Sequence, residues 1–128
     1  MNSIQIVEIN KQPVHNLPEE NIKGIFLPKT NFTSSSVGII EPNETQKKHY
    51  HNRPLDGYEI IFIYSGKVVF VSEKEESPVY NVDKNGPIFA CVSSQTIAYL
   101  KNVGNNEVRF FTVFAPGLNL DELVFFDE

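Results

Sequence analysis

Three side chains near the middle of the chain have the types and spacing that metal chemistry uses. His49 and His51 flank Tyr50, and Glu59 follows eight residues after the second histidine. On an extended strand, residues two apart point to the same face, so both imidazoles face one way. Glu59 opens the strand-like run Glu59-Ile60-Ile61-Phe62-Ile63-Tyr64. If that run lies beside the histidines, its carboxylate completes a facial set of two histidines and one carboxylate. Such a set leaves positions open for water, substrate or dioxygen and suits Fe(II), Mn, Ni or Zn. To bind, the imidazoles must be neutral and the carboxylate ionised. A lone His-x-His pair also marks solvated surface histidines, so the elements around it decide its meaning.

Those elements read as strands. Runs rich in Val, Ile, Phe, Tyr and Thr span Ile4–Ile9, Gly24–Leu27, Ser36–Glu41, Tyr58–Tyr64, Lys67–Ser72, Val79–Val82, Pro87–Ser93, Thr96–Lys101 and Glu107–Ala115. Turn residues separate them at Pro42-Asn43, Ser65-Gly66, Asn85-Gly86-Pro87 and Gly104-Asn105-Asn106. No window keeps a 3.6-residue apolar stripe. Leu118–Phe125 reads equally well as a short helix or a last strand. Many short strands at close spacing predict an all-β sandwich or closed barrel. The long polar segment Pro42–Gly57 carries two of the three histidines, and such loops in small barrels carry function.

Gly38, His49-Tyr50-His51, Glu59 and then Gly66 after six residues resemble the first motif of the cupins. The resemblance implies a double-stranded β-helix, a jelly-roll barrel with a metal at its mouth. It implies a single domain over residues 1–128, with the core barrel over about 36–115. It places the metal-ligand role on His49, His51 and Glu59, and makes Gly66 the turn glycine of the next hairpin, where a positive φ costs glycine little. The match departs from the family pattern twice. Seven residues separate His51 from Glu59, more than the family's usual spacer, and Asp56 sits nearer the usual distance. Glu59 is preferred over Asp56 because its spacing to Gly66 and the apolar strand between them fit together. In the second motif, which runs here from Gly86 to Asn102, the histidine is missing. Ile97 is its nearest equivalent and Tyr99 the next. Three readings follow: a metal held by His49, His51 and Glu59 alone; a substitute fourth ligand from Gln95, Tyr99 or Cys91; or a pocket with no metal.

Composition narrows the function classes. At 128 residues the chain suits one domain. Hydrophobic residues make up 41% and charged residues 21%, as in soluble globular proteins. No apolar run reaches the ~18 residues of a membrane span, and no secretory pattern opens the chain. The one cysteine, Cys91, cannot form an intrachain disulfide. These features predict a cytoplasmic protein with no membrane partner. The net charge of −5 and the single adjacent basic pair, Lys47-Lys48, argue against nucleic acid as a partner.

The remaining candidates have ordinary readings beside functional ones. Cys91 lies in an apolar run, where a buried small hydrophobe is expected. His15 reads as a surface loop residue. Phe89, Tyr99 and Phe111 are pocket candidates, with core packing as their default. Arg53 follows the histidines and suits a bidentate clamp on a carboxylate or phosphate, with Gln95, Ile97 and Tyr99 as further pocket residues. The expected function is a small metal-dependent enzyme with one divalent ion, acting on a small oxygen-bearing metabolite. Its chemistry is either Fe(II) dioxygen activation or Lewis-acid isomerase or lyase chemistry. The alternative is a non-catalytic binding module for a sugar or other metabolite. A homodimer is expected, formed through Phe110–Ala115 or the apolar tail Leu118–Phe126.

Overall fold

Strand β11 (Val108–Ala115) shows how the sequence builds this fold. Its side chains alternate between buried and partly exposed along the whole element, the period-two pattern of a sheet with one face on a core. The computed structural model describes residues 4–30, 32–51, 57–73, 75–117 and 123–126. Among these, the other strands are β1 (His15–Leu17), β2 (Ile22–Phe26), β3 (Ser34–Ile40), β4 (His49–His51), β5 (Tyr58–Ser65) and β6 (Lys67–Ser72). They continue with β7 (Glu75–Glu76), β8 (Tyr80–Asn81), β9 (Ile88–Ser93), β10 (Tyr99–Asn102) and β12 (Leu123–Phe125). One short helix, α1 (Val82–Asn85), follows β8. It is capped by the Asn81 side chain, which accepts from the Lys84 N–H.

A six-stranded sheet runs in the order β1-β2-β3-β11-β5-β9, all antiparallel. A second sheet places β6 beside β10, β7 and β8. The short pair β12-β4 forms a third. The approach to β4 is tied to β10 by a bridge between Thr45 and Lys101 and by two bonds between Gln46 and Leu100: the Gln46 N–H donates to the Leu100 carbonyl, and the Leu100 N–H donates to the Gln46 side-chain Oε1. Between the sheets lies an aliphatic core that includes Ile40, Ile61, Ile63, Val68, Leu100 and Val108.

The expected strands are present with shifted ends, apart from two differences. The run Val79–Val82 keeps only Tyr80–Asn81 as strand, because Asn81 caps α1 and the helix begins at Val82. The run Ile4–Ile9 is not a strand. Ile4 and Ile6 are 88% and 83% exposed, so the alternating residues find neither a core nor a partner ladder. The C-terminal ambiguity resolves to a strand over Leu123–Phe125; residues 118–122 lie outside the described residues.

Asn102, the last residue of the expected second motif, has a structural role. It is 4% exposed, and its side-chain amide donates to the carbonyls of Ile40 and Asn106 at 2.9 and 2.8 Å. Its Oδ1 accepts from the Gly104 N–H at 2.9 Å. The side chain thus fastens the end of β3 to the turn after β10. Asn102→Ala is expected to cost about 2–3 kcal/mol, because buried backbone groups lose their partners. A lower urea midpoint with an unchanged slope checks this; an unchanged midpoint contradicts it.

Candidate functional site

The inward faces of β2, β3 and β11 meet in register around a small cavity. Gly24 faces Gly38 across β2 and β3, and Gly38 faces Phe110 on β11. A Cβ on Gly38 would collide with the Phe110 ring, so the glycine gives the aromatic ring its place. One register step further, Ser36 pairs with Thr112 and their hydroxyls lie 3.0 Å apart. Further still, Phe114 faces Glu59 on β5. The cavity enclosed is about 70 Å³. Its walls are mainly apolar, with Leu17, Ile22, Phe26, Val37, Phe110 and Phe114, and its polar groups include Glu20, Gln46, His49, His51 and Glu59.

β4 supplies both histidines, and the i, i+2 rule holds: His49 and His51 are 3% and 8% exposed, while Tyr50 between them is half-buried. Their ring centres lie 5.0 Å apart, edge to face. His51 also meets the Phe114 ring edge to face at 5.0 Å. β12 is the ladder partner of β4, with Phe125 opposite His49 and its ring packed 5.7 Å from the imidazole. The backbone carbonyl of Lys47 lies 2.7 Å from His49 Nδ1. A carbonyl can only accept, so Nδ1 carries the proton and Nε2 keeps the lone pair. Burial holds the His49 pKa below its ordinary value of 6.5, and the Lys47 carbonyl opposes this only in part. His49 is therefore a neutral imidazole near neutral pH.

Glu59 stands on the inner face of β5, in step with Ile61 and Ile63. Its carboxylate lies 3.8 Å from His51 Nδ1. The three expected ligands thus share one cavity, and their donor types suit a divalent metal. Their placement is less suited: among the described residues, no three His, Cys, Asp or Glu side chains gather closely enough to hold one ion. Glu59 approaches a ring nitrogen of His51 instead of completing a three-donor cluster. Asp56 and Arg53 lie outside the described residues.

The other expected pocket residues sit elsewhere. Gln95 occupies the turn after β9 with φ +64°, and its backbone N–H donates to the His51 carbonyl. Ile97 lies in the irregular link before β10, and Tyr99 opens β10 beside Lys47, Lys48 and Phe126. None of the three lines the histidine cavity. Phe89 is 64% exposed. Cys91 is exposed, not buried. β9 is an edge strand of the large sheet, and Phe89, Cys91 and Ser93 alternate onto its outer face.

Two cavity residues carry no motif in the sequence. Gln46 is 8% exposed, and its Oε1 accepts from the Leu100 N–H. Glu20 lies on the β1–β2 turn and is hydrogen-bonded to the Gln46 side chain. Burial raises the Glu20 pKa above its ordinary value; the Gln46 bond opposes the shift and the nearby Glu19 charge adds to it. In the sequence, Glu19-Glu20 after a proline reads as a solvated turn. Only the chain's folding back onto residues 44–47 half-buries Glu20 against the cavity.

This architecture is a double-stranded β-helix, the cupin-like barrel, as the resemblance implied. Solved structures share it, and three illustrate the likeness. A conserved protein with a double-stranded β-helix domain from Klebsiella pneumoniae superposes with a TM-score of 0.74 at 14% identity, over 98% of this chain and 100% of its own. Streptomyces Pac13, solved with uridine, has a TM-score of 0.72 at 11% identity, over 98% and 92%. The capsular polysaccharide assembling protein CapF from Staphylococcus aureus has a TM-score of 0.69 at 18% identity, over 91% of this chain and 35% of CapF. At these identities the likeness is one of fold. No protein-family model and no curated protein matches the sequence. No helix among the described residues is long and apolar enough to cross a membrane.

Proposed function

We propose that this chain is a small-molecule enzyme that moves protons on a hydroxylated carbonyl compound, in water loss or a related lyase or isomerase step, with His49 as its base. One observation carries the reading: a buried, neutral imidazole, its Nδ1–H tied to the Lys47 carbonyl, offers Nε2 within a mainly apolar cavity. A positioned imidazole with its lone pair free is well suited to take a proton from carbon beside a carbonyl. His51, held beside the Glu59 carboxylate, is placed to hydrogen-bond the carbonyl oxygen. The enclosed space suits the reacting fragment of a ligand, whose remainder would lie across the mouth. Pac13, similar in fold, is described as a nucleoside dehydratase. That supports water loss as the reaction class and makes uridine the first binding probe.

A metal centre on His49, His51 and Glu59 is the second reading. It is favoured by the His49 bond to Lys47, since metal-bound histidines commonly engage their second nitrogen in this way. An Fe, Zn, Mn or Ni ion would supply Lewis-acid polarisation or, as Fe(II), dioxygen chemistry.

The two readings separate by experiment. Protein purified without an affinity tag is tested against a panel of β-hydroxy carbonyl compounds, first with chelator and then with each metal added. Turnover that persists in chelator supports the proton-transfer enzyme. Turnover only with added metal, lost in the His49→Ala, His51→Ala double variant, supports the metal centre. No turnover in either condition, with uridine or another metabolite still bound, sinks both and leaves a binding module.

A further inference from the structure

The histidine cavity is also lined by a second carboxyl group, that of Glu20 on the β1–β2 turn. The turn that carries it is fastened on several sides. The Lys47 N–H donates to the Glu20 carbonyl at 2.8 Å. The Asn21 amide donates to Glu44 Oε2 and to the Thr45 carbonyl, both at 2.9 Å. Asn21 itself holds φ +60°, a left-handed turn that asparagine tolerates. The Lys47 peptide links the two functional groups directly. Its N–H holds the backbone of Glu20, and its carbonyl orients the ring of His49.

The side chain of Glu20 is held with the same care. Gln46 is buried, and its Oε1 is committed to the Leu100 N–H at 3.2 Å. Its amide N–H2 must therefore be the end that donates to Glu20. A buried glutamine whose orientation is set by the backbone is a fixed support for a carboxyl group. From the proton-transfer reading of this site, we propose that Glu20 is its acid, donating a proton to the departing hydroxyl oxygen while Gln46 positions it. The carbon beside the carbonyl loses its proton to His49 Nε2, and the C–H electron pair becomes the new double bond. The C–O bond at the next carbon breaks, and the oxygen leaves as water with the Glu20 proton. Glu20 then ionised and His49 protonated return to their starting states through solvent.

A carboxyl acts as an acid near neutral pH only when its ionised form is disfavoured. Burial acts in that direction on Glu20. The ionisable groups around it are Glu19 on its own turn, His49 and His51 from β4, and Glu59 from β5. β2, β3 and β11 contribute only uncharged side chains to the cavity.

The test uses the full chain and D-glyceraldehyde, a small β-hydroxyaldehyde, with chelator present. Exchange of its α-hydrogen with deuterated solvent reports the base; formation of 2-oxopropanal reports water loss. In Glu20→Gln, water loss is expected to fall about 10²-fold or more while exchange stays within a few-fold. In Gln46→Ala, which leaves the carboxyl but removes its support, a smaller loss is expected. Water loss undiminished in Glu20→Gln overturns the assignment. A parallel ¹³C titration of the glutamate carboxyls, assigned with Glu20→Gln, separates this from failure of the function itself. If the wild type neither exchanges nor eliminates, yet Glu20 titrates above the ordinary glutamate range and rises further in Gln46→Ala, the catalytic reading fails and Glu20 stands as the cavity's protonated group. If Glu20 titrates in the ordinary range and ignores Gln46→Ala, its assignment falls whatever the turnover.

Discussion

His49→Gln is expected to reduce turnover by about 10²–10⁴-fold, the usual contribution of a positioned general base. Glutamine keeps a polar side chain of similar reach but has no lone-pair nitrogen to take a proton. The pH dependence follows from the direction of the shift. The folded-state pKa of His49 lies below its ordinary value of 6.5 because the ring is buried. The active neutral form therefore persists to lower pH than in a solvated histidine. The acid limb of the rate profile should lie below pH 6.5 and vanish with the activity in His49→Gln. The same shift affects stability. Below its ordinary pKa the unfolded histidine takes a proton that the folded one resists, so stability is present above about 6.5. It is lost as pH falls toward and through the folded value. Denaturant midpoints measured in chelator should decline over that window in the wild type and decline less in His49→Gln. A rate profile unchanged by the substitution would remove His49 from the mechanism.

Gly66→Ala is expected to cost roughly 3 kcal/mol or more in stability, the largest effect of any single-methyl addition proposed. Two penalties combine. Gly66 holds φ +100°, where a side chain is strained by about 1–3 kcal/mol. A Cβ there would also stand 2.7 Å from the Glu107 carbonyl and 2.8 Å from the Val108 Cα. Those are backbone atoms that cannot swing aside, and overpacking of this kind costs about 1–3 kcal/mol more. The turn itself is pinned, because the Gly66 N–H donates to Asp83 and its carbonyl accepts from the Val82 N–H. Gly86 provides the control. Its φ is +98°, and a Cβ would meet nothing within 4 Å. Gly86→Ala should therefore lose only the conformational part, about 1–2 kcal/mol. Equal losses at the two positions, read from urea midpoints, would show that the close approach at Gly66 contributes nothing.

Local pattern made much of this protein legible. Alternation along β5, β6 and β11 follows from the two-residue period of a strand, so Ile61, Ile63, Phe110 and Phe114 were bound to share inner faces once the strands paired. The same period put His49 and His51 on one side of β4. The Glu59-to-Gly66 spacing marked a strand ending in a glycine turn, and the positive φ at Gly66 is that turn. Where pattern had no partner to act on, it misled. Ile4 and Ile6 alternate as well as any strand, but a strand needs a neighbouring ladder and a core to face. Cys91 sits in an apolar run, but β9 is the edge of its sheet, and the run's period sends Cys91 to the outer face.

The site's composition was the part that only folding settled. His49, His51 and Glu59 lie close in the chain, and their shared cavity follows from neighbouring strands. Glu20 joins them across a longer sequence separation, through the hydrogen bonds that fasten the β1–β2 turn to residues 44–47, where Gln46 lies. No residue type or spacing announces such a contact, because it depends on which strands the chain brings together. Gln95, Ile97 and Tyr99, chosen by position along a motif, turn away for the same reason: the link between β9 and β10 decides where they point. The histidine pair is a property of the sequence. The tautomer and lowered pKa of His49 and the second carboxyl in its cavity are properties of the folded chain, since burial, a local backbone carbonyl and the docking of the β1–β2 turn produce them.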